Sequence, residues 1–263
     1  MKLKDYAKKI FKTRYFWIHL VKSDLKSRFR RSKLGMLWML VQPLLLTIIM
    51  SVVFSTVFHQ PLGEYSVYIL SGIVVWDIIS SCTIAGGGSI MSAEQYIRQF
   101  NHPVTIYTLR SALLYIIMFL IELIALVIWI LFTKPENIVL AITTLPLTLL
   151  LYFSLAWSIT TIAGYTNTKY RDYPQMMGLI MQTIWYLSPV FFKEEMFTLN
   201  PALNLMFHLN PITHILNLIR EPFLYGRMPE AISYLFTLGT IILFGFWAYL
   251  INRNNSKKII FYL

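Results

Sequence analysis

The sequence predicts an all-α integral membrane protein with six transmembrane helices, and three observations carry that prediction. Several apolar runs exceed the ~20 residues a helix needs to cross a hydrocarbon core of about 30 Å. Only 13% of the 263 residues are charged and 57% are hydrophobic, with a mean hydropathy of +0.60; soluble domains carry roughly 25% charged residues. The charge is also lopsided: twelve of 23 Lys/Arg lie between Lys2 and Lys33, directly before the first apolar run. Spanning strands would appear as short alternating segments, whereas these runs are long and continuous.

The N-terminal segment, residues 1–33, reads as cytoplasmic. Within it Trp17, Val21, Leu25 and Phe29 recur every four residues beside Ile18, which places them on one helical face over 17–33. Lys22, Lys26, Arg28, Arg30, Arg31 and Lys33 fill the remaining arc. Such a helix lies in the membrane interface, its basic face toward lipid phosphates or a cytosolic partner; the same charge also serves as a plain topology anchor. The bias of basic residues toward a membrane surface makes nucleic acid a poor partner for the net charge of +11.

Six spans follow within a transmembrane domain of residues 34–251: about 35–58, 67–90, 106–132, 138–164, 174–192 and 231–251. With the N-terminus inside, Arg98, Arg110, Lys169, Arg171, Arg253, Lys257 and Lys258 join the basic cluster on the inner side. The outer segments keep Lys134, Lys193, Arg220 and Arg227 and collect six glutamates. That inner excess of Lys/Arg fixes the orientation and leaves the basic tail, 252–263, cytoplasmic. Between the last two spans, Asn200-Pro201 and Asn210-Pro211 each pair an N-capping residue with proline at the first helical position. The helices they start are too short to span, so two short re-entrant outer helices are expected.

Catalytic signatures are missing. No phosphate loop, H-E-x-x-H, G-x-S-x-G or paired-cysteine motif is present, and the lone Cys82 permits no intramolecular disulfide. Gly86, Gly87 and Gly88 in AGGGSI have no accompanying lysine and suit close helix approach or a local break. Asp77 and Glu122 fall inside predicted spans, where acids face a bundle interior or water; Arg110 or a partner helix is the expected counter-charge for Glu122. Interfacial belts account for Trp38, Tyr65, Tyr68 and Tyr249. Trp76, Tyr152, Trp157, Trp185 and Tyr186 are candidates for an inward aromatic wall, with Asp77 beside them. Two polar inner loops, 92–110 with Glu94 and Arg98, and 167–175 with Arg171 and Asp172, are placed to receive force from a cytosolic motor.

Asp24, Leu25, Lys26, Arg28, Phe29 and Ser32, followed by Leu34-Gly35-Met36-Leu37-Trp38 and Pro43, resemble the N-terminal signature of ABC-2 type polysaccharide export permeases. Gly72 with Trp76, the turn of Tyr170, Arg171 and Asp172, Ser188-Pro189-Val190 and Asn210-Pro211 extend the resemblance along nearly the whole chain. Relatives often carry proline before the tryptophan, where Val75 stands here. The resemblance implies a homodimeric subunit for O-antigen, capsule or teichoic acid, paired with two ATPase subunits that hold ATP and Mg, so that this chain carries no cofactor and is no enzyme. It implies an interfacial gate helix at 17–33, a coupling loop at 92–105, an ATPase-facing turn at 170–172 and outer gate helices within 194–226. A lipid-linked glycan is the implied cargo and the inner membrane the location. The alternatives are an ABC-2 permease for drugs or small lipids, and a membrane-embedded transferase.

Overall fold

A computed structural model describes residues 3–30, 32–100, 102–193, 201–256 and 258–263, with the backbone alone at 3–7 and 201–203. Eleven α-helices run through the described residues: α1 (Leu3–Lys12), α2 (Arg14–Arg28), α3 (Trp38–Phe58), α4 (Leu62–Thr83), α5 (Glu94–Gln99), α6 (Thr105–Thr133), α7 (Ile138–Lys169), α8 (Tyr173–Leu187), α9 (Pro201–Leu209), α10 (Pro211–Leu224) and α11 (Ala231–Asn255). Five segments are long and apolar enough to cross a membrane: Gly35–Phe58, Leu62–Thr83, Thr105–Thr133, Pro135–Lys169 and Ala231–Asn255.

The bundle is built around α4, which is buried on nearly every side from Tyr65 to Trp76. A helix apolar all round belongs at the centre of its neighbours, and α3, α6, α7 and α10 pack against it. Peripheral helices have the reverse design of a soluble protein. In α3 the buried stripe is Pro43, Thr47, Ser51 and Ser55, one residue every four, while Leu45, Ile48, Ile49, Val52 and Val53 are exposed. Small residues let backbones approach inside a membrane bundle, where lipid solvates the aliphatic face equally well. α11 follows suit, packing on α7 and α10 and exposing Ile242, Leu243 and Phe246.

The expected span over 174–192 takes a different form. α8 has 15 residues, about 22 Å at 1.5 Å per residue, which is short of a ~30 Å core. Non-helical residues 188–193 continue it. Arg171, before α8, donates to the Tyr262 carbonyl (3.0 Å) at the basic end of the bundle. Lys193 donates to Gln60 Oε1 (3.0 Å) at the α3–α4 turn, the opposite end. Between these two contacts the chain runs as α8, a tight turn over 188–190 and irregular backbone to 193.

Several boundaries differ from expectation for local reasons. The apolar face assigned to 17–33 ends with α2 at Arg28, and α1 precedes it. Leu20 and Val21 are its buried residues, docked with Phe16 against α5 and α6, so much of that face meets protein, and Ile18 is exposed. The span expected over 67–90 is α4 only to Thr83; residues 85–89, the glycine run, form a 3₁₀ turn. Gly86 abuts Thr160 and Gly87 abuts Asn167 and Tyr173, so a Cβ at either would sit 3.1–3.3 Å from those atoms. That is the close approach the glycines were expected to permit. Tyr65 and Tyr68 belong to no interfacial belt: they are 0% and 5% exposed, whereas Trp38 and Tyr249 are exposed.

Candidate functional site

At the basic end, the two polar loops come together. α7 extends five residues past the expected span to Lys169, leaving Tyr170, Arg171 and Asp172 as the turn into α8. Asn167 donates to the Gly87 carbonyl (3.0 Å), and the Arg171 guanidinium contacts both Met91 Sδ (2.9 Å) and the Tyr262 carbonyl. The 85–99 segment, the 170–172 turn and the C-terminal tail thus form one platform. Its exposed side chains include Arg98, Tyr170, Arg171 and Asp172. Glu94 and Arg98 pair along α5 at 2.9 Å, a half-exposed i,i+4 contact. Such a pair contributes little to stability and leaves both groups available to a partner.

α2 is tied to the same end. Phe16 packs edge-on to Tyr96 with centroids 5.8 Å apart, and also touches Phe100 and His102. Asp24 accepts a bidentate pair from Arg110 of α6. This overturns the expected partner of Glu122: the Arg110 guanidinium is committed to Asp24. Glu122 is buried, with Oε2 lacking a hydrogen-bond partner, and lies within electrostatic reach of Asp77 and Arg28. Asp77 is half-buried on α4. Arg28 and Arg30 are exposed; Arg31 lies outside the described residues.

Toward the other end, the non-helical residues 188–193 pose a backbone problem. Without helical bonds, their carbonyls need partners inside an apolar bundle, where an orphan is penalised by several kcal/mol. Arg220 of α10 supplies the solution. It is 2% exposed, and its guanidinium reaches the Pro189 carbonyl (2.6 Å), the Val190 carbonyl (2.7 Å), the Tyr68 hydroxyl (3.0 Å), Ser71 Oγ (3.3 Å) and the Tyr68 carbonyl (3.4 Å). Tyr68 donates to the Phe192 carbonyl (2.6 Å) and Tyr65 to the Phe191 carbonyl (2.5 Å). The guanidinium also stacks 3.7 Å from the Tyr68 ring centroid. Among the described residues no carboxylate pairs with Arg220; neighbouring Glu221 is taken by Arg227. A dispersed planar cation tolerates such neutral oxygen partners better than an ammonium does. Gly72 makes room for the contact, because a Cβ there would collide with the Val190 carbonyl and lie 2.7 Å from the guanidinium.

α10 carries this clamp along α7. Asn210 caps it as expected, its Oδ1 accepting from the Ile212 amide at 2.9 Å, with Pro211 in the first turn. Asn210 Nδ2 also donates to Ser188 Oγ (3.1 Å), joining the cap to the start of the non-helical residues. Further along, Tyr152 of α7 donates to the Ile215 carbonyl (2.6 Å), and Asn137 Nδ2 and Lys134 Nζ bond the Phe223 and Leu224 carbonyls, both at 3.1 Å. Pro201 is the first residue of α9; Asn200 lies outside the described residues.

The aromatic candidates occupy different surroundings. Trp76 and Tyr152 are packed in the core of this chain, Trp157 and Trp185 are half-buried, and Tyr186 is exposed. Sequence reasoning missed Arg220 and the two tyrosines that share its task. The available signal was an arginine within HILNLIREPF, an ionisable group in an otherwise apolar segment.

Comparisons with known proteins agree with this architecture. The chain is 22% identical over 235 residues to the O-antigen export system permease protein RfbA of Myxococcus xanthus, covering 86% of each chain. It is 22% identical to an RfbA of Klebsiella pneumoniae, over 85% of this chain and 86% of that one. The polysialic acid transport protein KpsM of Escherichia coli is 23% identical, over 84% and 87%. The family model described as ABC-2 type transporter matches residues 15–224, from α2 through the end of α10. With four-fifths of its length inside that match, the chain belongs to the ABC-2 type transporter membrane family.

Proposed function

We propose that this chain is the permease subunit of an ATP-driven exporter that moves a lipid-linked polysaccharide across the cytoplasmic membrane. The observation that carries the reading is the match, over 84–86% of the chain, to permeases named for O-antigen export and polysialic acid transport, on a bundle with five helical segments long and apolar enough to cross a membrane. The basic end faces the cytoplasm, as the Lys/Arg excess requires, with both termini there. The passage over 173–193 is the sixth crossing: α8 traverses the inner part and residues 188–193 complete it. α9 and α10 are re-entrant from the outer face, and with Asn210 and Pro211 they form an outer gate.

Two copies enclose the path in this reading, each binding an ATPase subunit through the platform of α2, α5 and the 170–172 turn. Glu94, Arg98, Tyr170, Arg171 and Asp172 are the contacting groups, with Asp24 holding α2 in place through Arg110. Nucleotide chemistry stays on the partner. A conduit for a polar, uncharged polymer needs ring faces and hydroxyls in its wall, and Trp185 and Tyr186 near the break in α8 are placed to supply them. The membrane-embedded transferase gains nothing from the comparisons, and export of drugs or small lipids gains no named relative among those given above. The test is ATP hydrolysis by this chain alone, by its ATPase partner alone, and by the purified joint complex. Coupled turnover in the complex, lowered at least several-fold by Arg98→Ala or Asp172→Ala with assembly intact, is the expected result. Substrate turnover by the isolated chain would overturn the reading.

A further inference from the structure

α8 packs only sparsely against α4 and α7. Behind it lies a cavity of about 670 Å³ walled by α4, α7, α8, α10 and α11. Its wall is almost wholly apolar, with Ile159, Ile162, Met177, Met181, Phe244 and Trp247 among the lining side chains. At the basic end it adjoins a second cavity of about 160 Å³, the two sharing Thr166. The smaller cavity has a mixed wall: Ile251 and Ile259 are apolar, and Lys169, Tyr170, Asn255 and Tyr262 bring polar groups, Lys169 a cation among them. Among the described residues, no carboxylate lines either cavity. Arg171 stands at the adjoining turn and Arg253 and Lys258 flank the mouth in sequence, all three exposed.

The two cavities together have the form of an amphiphile, an apolar chamber ending in a cationic mouth at the basic end. We infer that they bind an anionic glycerophospholipid of the cytoplasmic leaflet, one acyl chain filling the space behind α8 and the phosphate meeting Lys169 and Tyr170. Charge complementarity sets the preference: one lysine near an anionic headgroup contributes about 1 kcal/mol, on the order of fivefold in binding. The inference does not depend on the cargo. A lipid there wedges α8, the weakly packed half of the broken passage, against its neighbours.

The full-length chain, purified in mild detergent and exposed to equimolar phosphatidylglycerol and phosphatidylcholine of matched chains, tests this by native mass spectrometry. The expected result is one phosphatidylglycerol retained per chain, with about a fivefold preference. Lys169→Gln, an exposed position, should bring the preference to near unity, and Ile159→Trp, which projects a larger ring into the chamber, should lower retention of both lipids severalfold. Equal retention of the two lipids by the unaltered chain would overturn the proposal, as would undiminished retention by the Ile159→Trp chain or an unchanged preference in Lys169→Gln. Displacement of the phospholipid mole for mole by polyprenyl phosphate would likewise overturn it, assigning the site to a carrier lipid instead.

Discussion

Arg220 shows how one residue makes a non-helical membrane segment tolerable. The carbonyls of Pro189 and Val190 have no helical partner, and burying each unpaired is penalised by about 1–3 kcal/mol. A guanidinium answers both while donating to Tyr68 and Ser71. Methionine at this position keeps the volume and removes every donor, so Arg220→Met should destabilise the detergent-solubilised protein by on the order of 3 kcal/mol. Arg220→Lys should recover only part of that loss, since an ammonium cannot reproduce the planar fork. Gly72→Ala should damage the same contact from the other side, by about 1–3 kcal/mol of overpacking. Thermal unfolding of the three variants checks the claim. Melting temperatures within a degree of the parent would show that the clamp contributes nothing.

At the scale of elements, the docking of α2 on α6 is the feature that joins the N-terminal segment to the bundle. Its links are the Asp24–Arg110 pair, whose side chains are 22% and 12% exposed, and the packing of Leu20 and Phe16 against Tyr107, Ala93 and Tyr96. A double-mutant cycle with Asp24→Asn and Arg110→Gln should give a coupling energy of about 1–3 kcal/mol. Both single variants should also free α2 for proteolysis near Arg28. A coupling energy near zero would mean that α2 rests on the membrane without being held by α6.

The long helices were legible because hydropathy and charge asymmetry report directly on solvent: lipid needs apolar length, and the cytoplasmic side collects lysine and arginine. The Asn210-Pro211 cap was legible as well, since its chemistry is local. Hidden were the features set by contacts between residues more than 80 positions apart in sequence. Tyr65 and Tyr68 have the composition of an interfacial belt, but their hydroxyls are spent on carbonyls at 191 and 192. Arg110 is the expected partner for Glu122, but twelve residues along one helix put the two about 18 Å apart, and its pairing with Asp24 emerges only when α2 packs on α6. The break at Leu187 is foreshadowed by Ser188-Pro189, since the residue before proline is pushed out of helical backbone. Nothing local says that the chain continues to the far end unsupported by helix.

Across the whole molecule, the charges at one end, the lipid-facing aliphatics of α3 and α11, and the clamp toward the other end describe one multi-pass membrane body. The platform of α5 and the 170–172 turn leads directly into α8, and α8 leads to the clamped residues 188–193. A displacement at the cytoplasmic turn therefore has a continuous route to Asn210, Arg220 and the outer end of α10.

That account stands on residues 173–193 crossing the membrane, and single-cysteine labelling measures it most directly. In a Cys82→Ser background, a membrane-impermeant maleimide should label Lys193→Cys, Glu136→Cys and Glu230→Cys in intact cells. Lys12→Cys, Asp172→Cys and Arg253→Cys should react only after permeabilisation. Labelling of Asp172→Cys and Lys193→Cys from the same side would contradict the sixth crossing, and with it the path from ATPase platform to outer gate.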